Sequence, residues 1–312
     1  MDFSDNSFVA HVENLARPVV ATALPTPFKH GKIHFDSLLR LLQLQQEHAD
    51  ILVVSGTTAE PNMLTDDERK QVLSTVRLYT SLPVVAGVSA NDTATAVQQA
   101  CAAKTLGASA LLVSPPSFSK CTPDGYVKHI LRIADESRLP IVLYNAPSRA
   151  GYALDPYIVR VLAERGVKYM KDAAADTALT VSATVNGIRC FCGNDSVFDK
   201  ALHNGAIGTI SVASNVAPLL VRAYAVAHTG DNNDTPNVKP QLAAIYNTLS
   251  ALCAREINPI AIKYLLYKAG IFDTYDVRLP LTKANKDTRR AIDEFWNDYG
   301  NTIQQLNSEE SL

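Results

Sequence analysis

The sequence repeats one pattern eight times: a short apolar run rich in β-branched residues, followed by a longer segment with helical spacing. Most of the runs are continuously apolar, which is typical of strands buried on both faces. We predict strands at residues 19–22, 51–54, 84–87, 110–113, 141–144, 167–170, 188–192 and 208–211. The intervening segments, such as 66–79 and 94–106, predict helices.

Eight strand–helix units joined by right-handed crossovers predict an α/β protein with a parallel sheet. This number of units closes a (β/α)8 TIM barrel. The alternative is a doubly wound open sheet, which carries a glycine-rich phosphate turn after its first strand. The first predicted strand runs instead into Ala23-Leu24-Pro25, and neither GxGxxG nor GxxxxGK[ST] occurs in the chain. The sequence therefore favours the barrel.

The pattern changes after Pro218. From about residue 238 to residue 305 only helical segments follow, with breaks at Asn258-Pro259, Gly270 and Leu279-Pro280. We expect three parts: an N-terminal extension (1–16), a catalytic barrel (17–236) and a C-terminal helical region (237–312).

Composition excludes several classes of protein. The 29 basic and 31 acidic residues leave a net charge of -2, which predicts binding to neither nucleic acid nor an anionic membrane. The start is acidic, and no run reaches the ~18 apolar residues of a membrane span. The five cysteines include no CxxC pair, and the seven histidines are scattered, so we expect no disulfide framework, no metal and no cofactor. These features predict a cytoplasmic protein that acts on small molecules.

In barrel enzymes the chemistry lies on the loops that follow the strands. Lys171 closes the sixth predicted strand, where burial disfavours the charged ammonium and a free amine can attack a ketone to form a Schiff base. Tyr144, at the end of the fifth strand, could transfer protons. Thr57 and Thr58 could bind a small carboxylate, and Arg149 a second one. Taken singly, a solvent-directed lysine, a core tyrosine, a helix-capping threonine and a surface arginine explain these residues equally simply.

Together these residues resemble the dihydrodipicolinate synthase and N-acetylneuraminate lyase family of Schiff-base pyruvate aldolases. The resemblance runs from about Arg17 to Pro280. Five ordered motifs carry it: Gly56-Thr57-Thr58-Ala59-Glu60, Tyr144-Asn145-Ala146-Pro147, Tyr169-Met170-Lys171-Asp172, Gly193-Asn194-Asp195 and Gly208-Thr209-Ile210-Ser211. The continuation Ser148-Arg149 is similar to the dihydrodipicolinate synthase branch.

The resemblance implies roles for these residues. Lys171 would form an imine with pyruvate, and Tyr144 would relay protons through Thr57. Thr58 and the backbone carbonyl of Ile210 would contact the pyruvate unit, and Arg149 would hold the carboxylate of aspartate semialdehyde.

The implied reaction is the condensation of pyruvate with aspartate semialdehyde in lysine and diaminopimelate biosynthesis, carried out by a homotetramer or homodimer. Two alternatives stay open. The first is a related aldolase with another acceptor, such as an N-acetylneuraminate lyase or a sugar-acid aldolase. The second is a barrel that binds pyruvate without catalysis.

Two positions depart from the family pattern. Ser117 or Phe118 stands where the family usually has a tyrosine after the fourth strand, so the proton relay would lack that phenol. Ala59 replaces the usual glycine, which predicts backbone strain if this position needs a positive φ.

Overall fold

Eight parallel strands form a closed barrel in the computed structural model, which describes residues 6–118, 120–228 and 240–308. Neighbouring strands follow one another along the chain, and the last barrel strand pairs with the first. The barrel strands are β1 (Val19–Ala23), β4 (Ile51–Val54), β5 (Val84–Val88), β6 (Ala110–Val113), β7 (Ile141–Asn145), β8 (Tyr169–Asp172), β9 (Arg189–Cys192) and β10 (Gly208–Ser211). Strands β2 (Phe28–Lys29) and β3 (Lys32–Ile33) form a separate antiparallel pair. The predicted TIM barrel is confirmed.

The sixth barrel strand differs most from its prediction. It was expected at 167–170, with Lys171 just after it, but β8 spans Tyr169–Asp172 and contains Lys171. Val167 is still tied to the preceding helix, since its N–H donates to the carbonyl of Leu162 at 3.0 Å. Pairing with β7 and β9 extends the strand through its two charged residues, because a central strand's partners override a low intrinsic β propensity.

Helices follow the barrel strands and cover the outside of the barrel. The described helices are α1 (Asn6–Asn14), α2 (Phe35–His48), α3 (Asp66–Tyr79), α4 (Thr93–Thr105), α5 (Pro123–Ser137), α6 (Pro147–Ala150), α7 (Pro156–Glu164), α8 (Ala178–Val185), α9 (Phe198–His203), α10 (Pro218–Ala227), α11 (Pro240–Cys253), α12 (Ile260–Lys268) and α13 (Lys286–Ser308). Thr65 and Glu68 form a capping box at the start of α3. The bounds of α3 are those of the helix predicted at 66–79.

Alternation along the strands separates an inner from an outer core. On β8, Tyr169 faces the barrel interior, where the N-terminal helix α1 also packs, and the rings of Phe8 and Tyr169 meet edge to face at 5.3 Å. Lys168, one position earlier, is exposed, as the predicted alternation requires. The interior of the barrel is therefore filled by side chains below the level of Lys171.

After residue 240 the described chain contains only helices as regular elements, and all three predicted breaks fall outside them. The predicted boundary at 236/237 lies outside the described residues, so the division into domains stays a prediction. The segment between α12 and α13 returns to the barrel mouth, where Asp276 forms an isolated antiparallel bridge with Phe28. Among the described helices, none combines the length and apolar character needed to cross a membrane.

Candidate active site

Tyr144 and Lys171 lie side by side on neighbouring strands. They are register partners in the β7–β8 pairing, and the Lys171 Nζ lies 4.9 Å from the centre of the Tyr144 ring. The next register pair points to the other side of the sheet, where the Asn145 amide donates to the Asp172 carboxylate at 2.8 Å. Thr180 also donates to Asp172, at 3.0 Å. The hydrogen bond between Asn145 and Asp172 thus links β7 to β8 on the outer side of the sheet. It fixes the position of Tyr144 and Lys171 along the two strands.

Lys171 is buried without a charged partner. It is 6% exposed, and none of the ion pairs among the described residues includes it. Gly193, just after β9, leaves room for its side chain, because a Cβ there would lie 2.6 Å from the Lys171 Cε. Lys171 is therefore buried, has no counter-ion among the described residues, and lines the cleft with an amine that can act as a nucleophile.

The turn after β4, residues 55–60, places two hydroxyls beside this amine. Thr57–Ala59 form a short 3-10 helix, and the Thr57 Oγ1 lies 3.3 Å from the Tyr144 hydroxyl. The Thr58 hydroxyl accepts a hydrogen bond from the Asn258 amide at 2.9 Å. Strain was expected at Ala59 only if this position needs a positive φ, and it does not: the residues of the turn with positive φ are Ser55, at 54°, and Glu60, at 56°. Ala59 lies within the 3-10 turn and has no left-handed backbone.

Arg149 and Ile210 differ in their relation to the cleft. Arg149 lies on the short helix α6, is exposed, and lines the cleft. Ile210 is buried in the barrel interior, and Val212 is the residue after β10 that lines the cleft. The structure brings Lys171, Tyr144 and Thr57 together with Thr58 and Arg149. The contact of pyruvate with the Ile210 backbone carbonyl stays a prediction.

The cleft above Lys171 has two connected parts. One encloses about 310 Å³ around Lys171 and Gly193, and the other about 260 Å³ beside the loop after β6. Shared walls join the two parts: Thr57, Tyr144, Ala146, Arg149 and Asn258. Since small-molecule sites commonly enclose 300 to 1,000 Å³, this space suits two small substrates.

Tyr144 is the only tyrosine that lines the cleft in the described part of the chain. Ser114 and Ser117 line the side formed by the loop after β6. Phe118 is 97% exposed, and Tyr126 is fully buried in α5. As expected from the sequence, this loop supplies hydroxyls and no phenol.

Other nucleophiles and metals find little support in the described residues. Cys190 and Cys192 pack in the outer core, and burial raises the pKa of each thiol to about 12. A thiol with that pKa is protonated at neutral pH and is a poor nucleophile. No group of three or more His, Cys, Asp or Glu side chains is placed to hold a metal ion in the described ranges.

Sequence reasoning missed Asn258 and the pair formed by Glu60 and Lys263. Asn258 was read only as a helix break, although it lies on the cleft wall and reaches Thr58. Lys263 was not among the predicted functional residues. It is the one charged residue in the apolar run Ile260–Leu266, a pattern that indicates a buried charge with a partner. That signal gives no identity for the partner, which lies about 200 residues earlier in the chain.

The fold is a closed parallel barrel, and a buried lysine lies at its mouth beside a tyrosine and a cleft for small molecules. This combination is typical of a Schiff-base enzyme of the class I aldolase type. Residues 17–297 match the model of the dihydrodipicolinate synthetase family. Because that match covers most of the chain, this protein belongs to the dihydrodipicolinate synthetase family, and the resemblance inferred from its motifs is confirmed.

Individual relatives agree with this assignment. The chain is 34% identical to the 4-hydroxy-tetrahydrodipicolinate synthase of Staphylococcus saprophyticus, over 90% of this chain and 96% of the relative. It is 33% identical to the enzyme of the same name from Rickettsia bellii, over 88% and 94%. The solved dihydrodipicolinate synthase of Acinetobacter baumannii, a pyruvate complex, superposes with a TM-score of 0.84 at 29% identity, over 92% and 99% of the two chains.

Proposed function

We propose that this chain condenses pyruvate with L-aspartate 4-semialdehyde to give 4-hydroxy-tetrahydrodipicolinate, with Lys171 as the imine-forming residue. The observation that carries the proposal is the contact of three groups: the unpaired Lys171 amine over the Tyr144 ring, and the Tyr144 hydroxyl beside Thr57. The shared name of two relatives over most of the chain supports the choice of substrates.

The first half of the reaction involves pyruvate alone. The Lys171 amine attacks the ketone carbon, water leaves, and an imine forms. The positive charge of the imine acidifies the methyl group, whose loss of a proton gives an enamine. Tyr144 and Thr57, 3.3 Å apart, are placed to pass protons during these steps, and the Thr57–Thr58 turn would bind the pyruvate carboxylate.

The second half forms the carbon–carbon bond. The enamine carbon attacks the aldehyde carbon of the semialdehyde, whose carboxylate Arg149 would hold bidentately. The amino group of the same substrate then attacks the imine carbon. This step expels the Lys171 amine, closes the ring and releases the product.

Turnover with a panel of aldehydes tests this function. With pyruvate present, we expect L-aspartate 4-semialdehyde to be consumed with a larger kcat/KM than sugar-acid aldehydes or N-acetylmannosamine. Arg149→Met should raise the KM for the semialdehyde at least about tenfold, because a charge-assisted carboxylate contact is lost. Arg132→Met, on the exposed face of α5, is the matched control. Preference for another aldehyde would contradict the proposed acceptor.

A second candidate function is a pyruvate aldolase that takes a different aldehyde. The loop after β6 favours it, because Ser114 and Ser117 supply hydroxyls there and the phenol usual in the family is missing. Hydroxyls suit a polyhydroxylated acceptor. The same panel distinguishes the two candidates, since this one predicts that a sugar-type aldehyde has the larger kcat/KM.

We also propose that the chain assembles as a homotetramer of tight dimers in the cytoplasm. Similarity to the family supports the assembly, although one similar solved structure, at a TM-score of 0.83, is described as a monomeric variant. All five cysteines are free thiols, as a reducing compartment requires. Sedimentation equilibrium should give four times the monomer mass, and a monomer at working concentration would contradict the assembly.

A further inference from the structure

The turn of residues 55–60 needs support from outside itself. Two of its residues, Ser55 and Glu60, have positive φ values of 54° and 56° although neither is a glycine. Such left-handed residues persist only where surrounding contacts hold them. The start of the turn is held because the Ser55 carbonyl lies directly against Gly87, where a Cβ would be 2.1 Å away. The end of the turn depends on Glu60.

The Glu60 carboxylate is buried and held by the C-terminal helical region. Its side chain is 0% exposed and forms an ion pair with Lys263 of α12, which is equally buried. The second carboxylate oxygen accepts a hydrogen bond from the backbone N–H of Arg278 at 3.0 Å. Both contacts come from residues more than 200 positions away in the chain.

The position of Lys263 is fixed in turn by neutral groups. Its ammonium donates to the Asp276 carbonyl at 2.8 Å and lies 4.2 Å from the centre of the Phe28 ring. The Arg278 guanidinium contacts the same ring at 4.4 Å. Lys263 is thus placed by the backbone and by an aromatic ring, and can act as a fixed anchor for Glu60.

A buried ion pair is weak evidence for stability, because apolar residues of similar volume often serve as well. A buried ion pair can instead hold the two elements that it joins in a single arrangement. Here the fixed element is the turn that carries Thr57 and Thr58 into the cleft, only two to three residues before Glu60. Asn258, just before α12, holds the same turn through Thr58.

We propose that Glu60 and Lys263 are positioning residues for the Thr57 hydroxyl, through which the C-terminal helical region sets the geometry of pyruvate binding and proton transfer. This inference rests on the function proposed above. Glu60 lies on the wall of the cleft part beside the loop after β6, but its side chain and that of Lys263 are 0% exposed, so neither presents its charged group to the substrate.

The test uses the double variant Glu60→Gln/Lys263→Met, which leaves no unpaired buried charge and is expected to fold. The readout is exchange of the pyruvate methyl protons in D2O, followed by NMR, which reports enamine formation without any aldehyde. We expect exchange to slow at least about tenfold and the KM for pyruvate to rise, because a small misplacement of a reacting group is costly. The KM for the aldehyde, bound by Arg149, should change less than twofold. Lys268→Met, which removes one partner of a half-buried ion pair on the same helix, is the matched control.

A double-mutant cycle separates positioning from general loosening. In a Thr57→Val background the same double variant should slow exchange less than twofold further, because the positioned hydroxyl is already gone. Equal losses in both backgrounds, or wild-type exchange in the double variant, would overturn the positioning role. Absence of exchange in the wild-type protein would instead refute the proposed function, and the inference with it.

Discussion

Two buried lysines, one at the barrel mouth and one in the C-terminal region, have opposite surroundings. Lys171 is 6% exposed, has no ion pair among the described residues and faces a phenol ring and a cleft. Lys263 is 0% exposed and is paired with Glu60. Burial lowers the pKa of Lys263 to about 8, and the Glu60 carboxylate opposes this shift. The comparison teaches that burial alone does not distinguish a proposed catalytic lysine from a structural one, and that the counter-ion and the access to the cleft do.

The largest expected effect is the loss of catalysis on replacing Lys171. Lys171→Met should lower kcat with pyruvate and the aldehyde by roughly 10⁴-fold or more, because it removes the amine proposed to form the imine. A steady-state assay measures the effect. Lys168→Met, at an exposed residue just before the same strand, should keep wild-type activity. A Lys171→Met enzyme with more than a tenth of wild-type activity would refute the assignment.

The next largest effect is a loss of folding stability, which we expect on replacing Lys263 but not on replacing Lys171. Lys263→Met leaves the Glu60 carboxylate buried and unpaired, which should lower the free energy of unfolding by about 3–5 kcal/mol. Lys171→Met should leave this free energy unchanged or raise it, because it removes an unpaired buried polar group. Urea denaturation of both variants measures the difference. Equal losses would mean that the two lysines are not distinguished by their partners.

A smaller effect is expected from filling the space beside Lys171. Gly193→Ala places a methyl group 2.6 Å from the Lys171 Cε, so the amine must move. We expect kcat to fall about 10²-fold, since a displacement on the order of 1 Å has that cost. Circular dichroism should show an intact fold, which separates this result from unfolding. Unchanged kcat would show that the lysine has more room than the structure indicates.

The smallest effect concerns the pair of Glu68 and Arg278, which is partly exposed, in contrast to the buried pair of Glu60 and Lys263. Hydrogen bonds from Arg278 lower the pKa of Glu68 to about 2, from 4.5. Because the folded pKa is the lower one, the stability from this pair is present above pH 4.5 and is lost as the pH falls toward 2. Glu68→Gln keeps the capping box but removes the charge, and should cost about 1 kcal/mol at pH 7 because solvent screens the partly exposed pair. The wild-type and variant unfolding curves should converge near pH 2, and a constant difference from pH 7 to pH 2 would contradict this account.

The sequence predicted the barrel because strand periodicity and strand–helix alternation are local signals. It also indicated the predicted site residues that line the cleft, since each ends or follows a strand: Thr57, Thr58, Tyr144, Arg149 and Lys171. It missed the extension of β8 through Lys171 and Asp172, which depends on hydrogen bonds to β7 and β9. It missed Asn258 and the Glu60–Lys263 pair for the same reason: they act through contacts across about 200 residues, which no local pattern encodes.

Mapping the trapped imine tests the central claim most directly. Wild-type protein is treated with pyruvate and borohydride, digested, and each lysine-containing peptide is weighed by mass spectrometry. We predict a single reduced pyruvate adduct, on the peptide that contains Lys171, with the Lys263 peptide unmodified. An adduct on Lys263, or no adduct on Lys171, would contradict the account.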